Sequence, residues 1–400
     1  MSHARGAPDI LLVSNGFGEA AIAQYIARAI AAGASAARVG HLPLVSASEA
    51  ETWPPLVGPR RTMPSGGLVA NWNWRQLARD LLAGLGPLTV AQVTYLRSQT
   101  HRDVIIAVGD IYCLALSLFA RRPTFFVATA KSELVAPHSR VEVSIARRAA
   151  AAFARDAPTA DALSRAGVRA HYAGNVMMDG LLRTDADLML DEAALKIGVL
   201  PGSRTDAAAN AGEMAKRIRA LAEMLASSGR RVQAFVSLAS SVRAEDIRQS
   251  VEAAGFALPP LRKDAATSGI IARNTAENLS IALVRGAFAD IIHGSDIVFG
   301  QAGTANEQAA GLGRPVLAAA EAGERPERMR WYRMRQKRLL GDALLVLPSS
   351  LREFAAGAMR VVEDPALMRH MAETGRSRMG QPGGAAAVAA AVLSEVSQRT

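Results

Sequence analysis

The chain has 400 residues, half of them apolar and 5% aromatic, and carries a net charge of +10. That length exceeds what one hydrophobic core organises, so two domains of about 180 to 200 residues each are expected, and the apolar share excludes a disordered chain. One cysteine, Cys113, excludes internal disulfides and multi-cysteine metal sites.

From the N-terminus, Met1 to Ala7 is short and polar, and the apolar run Ile10 to Val13 is too brief for a signal-peptide core, so a cytoplasmic protein is expected. Strands are predicted at Ile10–Ser14, Val104–Val108, Thr124–Ala128 and Ala151–Ala154, with Ala-rich helical stretches between them. The longest apolar stretch, Val104 to Ala120, contains Gly109 and Asp110, which makes it a buried strand followed by a helix rather than a membrane span. Trp53 to Trp74 is rich in Pro, Gly and Trp and reads as a long loop. Asp179 to Leu195 has no β-branched run and is the expected connection between domains; the triplet Asp185 to Asp187 lies within it rather than at a strand end.

Further strands are predicted at Ile197–Leu200, Val232–Ser237, Ile281–Leu283, Ile297–Phe299 and Pro315–Ala318, and the tail beyond Gly375, with Gly380 to Leu393, reads as a Gly/Pro break followed by an Ala-rich helix. Strands alternating with helices throughout predict an α/β protein with two parallel sheets. The expected boundaries are 1–185, 186–370, and a last helix at 371–400 that packs back on the first domain.

Three segments carry candidate chemistry. In Ser14 to Ile30, Gly16 and Gly18 allow a tight turn, Asn15 lies with them in what is taken as the acceptor-side loop, and Glu19 opens a helix. The spacing fits a loose dinucleotide fingerprint, but no Asp or Glu occurs from Ala20 to Ser48 to hold a ribose, which argues against NAD. A plain strand-to-helix turn and a ligand-contacting loop both fit. In Val199 to Arg204, Gly202 shapes a turn after a strand, Ser203 offers a hydroxyl and Arg204 a planar cation suited to a diphosphate. In Gly294 to Ala318, Gly300, Ala302 and Gly303 let backbone approach a ligand, Thr304 is placed to cap the next helix, and Glu307 or Gln308 reaches a ribose hydroxyl. The histidines are scattered without ligand spacing, so no metal and no cofactor are assigned.

Glu324 to Arg338 holds seven Lys or Arg in fifteen residues, interleaved with Met329, Trp331, Tyr332 and Met334. It fits either a solvated helix face or a peripheral contact with an anionic membrane; nucleic acid is not expected as a partner.

By the order and spacing of the loop at Asn15 to Glu19, Val108 to Asp110, Phe153 to Val168, Ala173 to Gly180, Val199 to Arg204 and the helix from Thr304, most of the chain resembles the lipid-A-disaccharide synthase family, in its "lipid-A-disaccharide synthase-related" branch. The resemblance implies the GT-B architecture of two Rossmann-like domains facing a central cleft. It further implies inverting, metal-independent transfer of a hexose or hexosamine from a UDP-sugar to a lipid or lipid-linked acceptor. On it, Asp110 is the candidate general base with Glu19 in reserve, Gly202, Ser203 and Arg204 contact UDP, and Gly303 with Thr304 surrounds the diphosphate. Two departures stand out. The synthases carry Gly-Glu-Thr-Ser-Gly-Asp near the start where this chain has Gly16-Phe-Gly-Glu19, and their ribose-contacting Glu aligns with Gln308, one place after Glu307. A nucleotide-sugar epimerase of the same fold, and a non-catalytic protein using its basic surface, are the alternative readings.

Overall fold

The computed structural model describes residues 7–45, 53–61, 81–203, 206–262, 269–321 and 329–399. These fall into two compact units, Met1–Gly180 with Gly380–Thr400, and Leu181–Met379.

The first unit is built from β1 (Asp9–Ser14), α1 (Phe17–Gly33), β2 (Arg38–Pro43), α2 (Leu85–Ser98), β3 (Val104–Gly109), α3 (Ile111–Ser117), β4 (Thr124–Ala128), α4 (Arg140–Ala146), β5 (Ala151–Ala154), α5 (Ala157–Arg165) and β6 (Ala170–His171). Its six strands run parallel in the order β2-β1-β3-β4-β5-β6, with Leu11 opposite Ile105 and Ile106 opposite Phe125. Every residue of β1 and β3 is buried, as expected where helices cover both faces of a parallel sheet.

The second unit comprises β7 (Leu195–Leu200), α6 (Ala207–Ala226), β8 (Val232–Leu238), α7 (Ala244–Ala253), β9 (Gly269–Thr275), β10 (Leu279–Arg285), α8 (Phe288–Gly294), β11 (Ile297–Gly300), α9 (Thr304–Gly311), β12 (Val316–Ala319), α10 (Trp331–Leu340), β13 (Leu344–Leu347), α11 (Leu351–Glu363) and α12 (Pro365–Met379). Its seven-stranded sheet has the order β13-β12-β11-β7-β8-β10-β9 and is parallel except for β9, which pairs antiparallel to β10. Ile197, Val199, Met214, Ile218, Val236 and Phe299 fill its core, where Phe299 meets Phe354 edge to face at 4.9 Å.

The last helix, α13 (Gly384–Arg399), belongs to the first unit and packs on α1, where Leu393 touches Gly33. Val388, Val392 and Val396 on one face are buried, at the i, i+4, i+8 spacing of a helix stripe. The Asp179 carboxylate accepts hydrogen bonds from the Gly383 and Ala385 amides and so caps this helix from a distant part of the chain.

All nine predicted strands are present, with ends shifted by up to two residues, and among the described residues four more accompany them: β2, β6, β9 and β13. The predicted loop at Trp53–Trp74 is described only as far as residue 61, and Leu56 there bridges His41 of β2.

Candidate functional site

In open parallel sheets, ligands bind beyond the carboxyl ends of strands where the strand order reverses. In the first unit that point lies between β1 and β3, because β2 extends the sheet to one side and β4 to the other.

Ser14 ends β1, and Asn15 and Gly16 turn the chain into α1, with Gly16 at φ 117° as its N-cap. A left-handed φ of this kind costs little only for glycine. The helix opens at Phe17, so Gly18 and Glu19 lie in its first turn rather than in the preceding loop. Gly16 alone makes the bend, which frees Gly18 for a helical conformation and corrects the expectation that both glycines shape the turn.

Next to it, β3 ends at Gly109, φ 139°, where a Cβ would lie 3.3 Å from the Glu19 Cγ and 3.6 Å from the Asn15 Cβ. The missing side chain lets the two strand ends close up. Asp110 follows as N-cap of α3: its Oδ1 accepts from the Cys113 amide at 2.9 Å and its Oδ2 from Asn15 Nδ2 at 3.1 Å. Burial raises the Asp110 pKa above the ordinary carboxylate range, while the bonds from Cys113 and Asn15 pull it back. Asn15 Oδ1 is buried without a hydrogen-bond partner among the described residues. Cys113 is fully buried, and desolvation together with the Asp110 charge pushes its thiol pKa well up, so it stays neutral.

Behind this turn, His41 Nε2 and Ser14 Oγ share a fully buried hydrogen bond of 2.7 Å. Desolvation lowers the His41 pKa to about 4. Sequence reasoning placed His41 among scattered histidines; here it holds the end of β1.

In the second unit the strand order reverses between β7 and β11. After β7, Gly202 adopts φ 103°, so the turn needs glycine, and among the described residues nothing lies within 4 Å of the direction of its absent Cβ. Asn210 Nδ2 donates to the Pro201 carbonyl at 2.9 Å and Ser241 Oγ to the Ser203 carbonyl at 2.9 Å, fixing the turn from α6 and from the loop after β8. Arg204 lies outside the described residues.

After the adjacent β11, the Gln301 amide bonds to the Leu200 carbonyl at 3.0 Å, tying this loop to the first turn. Gly303 is the N-cap of α9 and, among the described residues, has nothing within 4 Å of its Cβ direction. Thr304 is therefore the first helical residue, exposed, and does not cap the helix: the chain enters the helix one residue earlier than a Thr cap requires. Gly300 also has a different use from the one expected, because a Cβ there would lie 2.0 Å from Asn306 Oδ1. Its absence makes room for the fully buried Asn306 rather than for a ligand. Glu307 and Gln308 follow on α9, half-buried and about 100° apart around the helix axis.

Sequence reasoning missed the residues that hold this loop, which come from α10. Gln336 Nε2 donates to the carbonyls of Ala302 at 3.1 Å and Gly303 at 3.0 Å, and its Oε1 accepts from Asn306 Nδ2 at 3.3 Å. Arg333, buried, donates to Gln301 Oε1 at 3.1 Å, and Gln301 Nε2 to the Ala319 carbonyl at 3.0 Å. Lys337 Nζ caps the carbonyls of Gly341 and Leu344. The basic segment is thus not a uniformly solvated face: Arg333 and Lys337 are structural, while Trp331 and Tyr332 are half exposed and Arg335 stacks over Trp331 at 4.6 Å. Residues 324–328 of that segment lie outside the described residues. The spacing Arg333, Gln336, Leu340 marks one helix face and was the available signal.

Among the described residues, no three of His, Cys, Asp and Glu gather as a metal site, and no helix is long and apolar enough to cross a membrane.

No family model and no curated protein matches the chain, but solved structures match it over nearly its whole length. It is similar to MurG of Acinetobacter baumannii, at 15% identity and TM-score 0.55 over 97% of this chain and 99% of that one. It is also similar to UGT2 of Phytolacca americana, solved with UDP-2-fluoro-glucose and pterostilbene, at 13% identity and TM-score 0.58 over 98% and 100%. A third is the UDP-GlcNAc 2-epimerase of Neisseria meningitidis bound to UDP-GlcNAc, at 12% identity and TM-score 0.55 over 97% and 100%. The fold is the GT-B fold that these proteins share.

Proposed function

We propose that the chain is an inverting, metal-independent glycosyltransferase that moves a hexose or hexosamine from a UDP-sugar to a hydroxyl of a lipid or lipid-linked acceptor. The observation that carries the reading is the pair of adjacent strand-end turns in the second unit, where Gly202 and Gly303 leave backbone open beside the N-terminus of α9. Open amides at a helix start favour an anionic diphosphate. The fold is one in which similar structures have been solved with UDP-sugars.

In this mechanism the second unit holds the UDP through the Pro201–Ser203 turn, Arg204, Gly303 and Thr304, with Glu307 or Gln308 at the ribose. In the first unit Asp110, with Glu19 as the alternative, takes the proton of the acceptor hydroxyl. The acceptor oxygen bonds to the anomeric carbon as the bond to the diphosphate breaks, and the departing charge passes to the amides and Arg204. The raised pKa of Asp110 suits a base that must hold the proton it removes. The lipid acceptor rests on the resemblance to the lipid-A-disaccharide synthase family. Peripheral contact with an anionic membrane rests on the half-exposed Trp331 and Tyr332 beside Arg330 and Arg335.

A second reading, a UDP-sugar epimerase, is favoured by the epimerases among the similar structures and uses the same donor site. Calorimetry with UDP, GDP and ADP on the wild type and Arg204→Ala tests the donor site: selective UDP binding lost in the variant supports it, and binding of none of the three overturns both readings. Proton NMR of a UDP-sugar then separates them, since an epimerase converts the sugar with no acceptor present and a transferase releases UDP only when an acceptor is added.

A further inference from the structure

The carbonyls of Ala302 and Gly303 both accept hydrogen bonds from Gln336 Nε2. A trans peptide is planar, with its N–H pointing opposite to its C=O. Two carbonyls drawn toward α10 therefore turn the N–H groups of the same two peptides, those of Gly303 and Thr304, away from α10. Consecutive N–H groups on one side of the backbone form an anion-binding concavity. Asn306 Nδ2 bonds Gln336 Oε1 and so fixes which way the Gln336 amide faces. Arg333 holds the same loop one residue earlier, through Gln301.

We infer that Gln336 is a positioning residue for the diphosphate: it touches no ligand, but it sets the Gly303 and Thr304 amides that bind the phosphate oxygens. The inference rests on the nucleotide-sugar reading above. It also specifies which part of the ligand Gln336 governs, because these amides act on the phosphates and not on the nucleoside.

The test compares UDP and uridine binding in the wild type, Gln336→Met, which keeps side-chain length but loses both donors, and Gln336→Glu, which sets a carboxylate against two carbonyls. The expected result is at least a tenfold loss of UDP affinity in both variants with uridine affinity unchanged, so that the UDP-to-uridine ratio collapses. Equal losses for both ligands, as general damage to the fold produces, or no loss at all, overturn the inference. Hydrogen exchange of residues 299–306 supplies a readout that needs no nucleotide: faster exchange confined to this segment in Gln336→Met supports the clamp, and unchanged exchange overturns it. If the wild type binds no nucleotide, the donor reading fails while the exchange measurement still decides whether Gln336 orders the loop.

Discussion

At the end of β3, burial and hydrogen bonding pull on the proton of Asp110 in opposite directions, and burial wins. A base works only when deprotonated, so activity should rise with pH through a pKa above the ordinary carboxylate range. Asn15→Leu removes a donor that favours the ionised form, and the acid limb of the pH–rate profile should move to still higher pH. Asp110→Asn keeps a good N-cap, so it should retain the melting temperature while turnover falls about a hundredfold or more. An unchanged rate would transfer the role to Glu19. His41 yields a prediction independent of catalysis. Its folded pKa, about 4, lies below the value of about 6.5 expected unfolded, so the unfolded chain takes up the proton first as pH falls. Its contribution is whole above about pH 6.5 and is lost progressively toward pH 4, by about 3 kcal/mol. Urea denaturation across that range should show the decline, and His41→Gln should flatten it.

Among the elements, α9 and α10 act as a pair, the first presenting its N-terminus and the second holding the loop that leads into it. Gly303→Asp places a carboxylate in open space at that N-terminus. The fold should tolerate it, since no described residue occupies the space, whereas UDP affinity measured by calorimetry should fall at least tenfold through repulsion of the diphosphate. Undiminished binding would move the diphosphate elsewhere. The strands that were legible in the sequence, such as Val104–Gly109 and Val232–Leu238, are short apolar runs wholly or almost wholly buried. The others hide for physical reasons. Gly40 and His41 interrupt β2, β6 has only two residues, β9 is a partly exposed edge carrying Arg273 and Asn274, and the apolar run of β13 is too short for period to separate strand from helix. For the candidate site, the turns at Gly202 and Gly303 were legible because each glycine stands between an apolar strand run and a helix start. Asn306 was not, since a polar residue that bonds backbone carries no apolar pattern, and for Gln336 the one trace was its helical spacing from Arg333 and Leu340.

For the whole molecule, the placement of α13 matters most. It buries Val388, Val392 and Val396 in the first unit, and Asp179 caps it. Ending the chain at Met379 should therefore leave the α1 face uncovered. Calorimetry of that truncated chain should show the first unit melting well below its temperature in the full chain, with the transition of Leu181–Met379 retained. A full-length melting profile would show that α13 contributes little.

That placement also constrains the schedule of synthesis. Leu181–Met379 is one uninterrupted stretch of chain. The first unit, although made earlier, waits with the flank of α1 bare until residues 384–399 emerge. The half translated first is thus the half whose last element is made last.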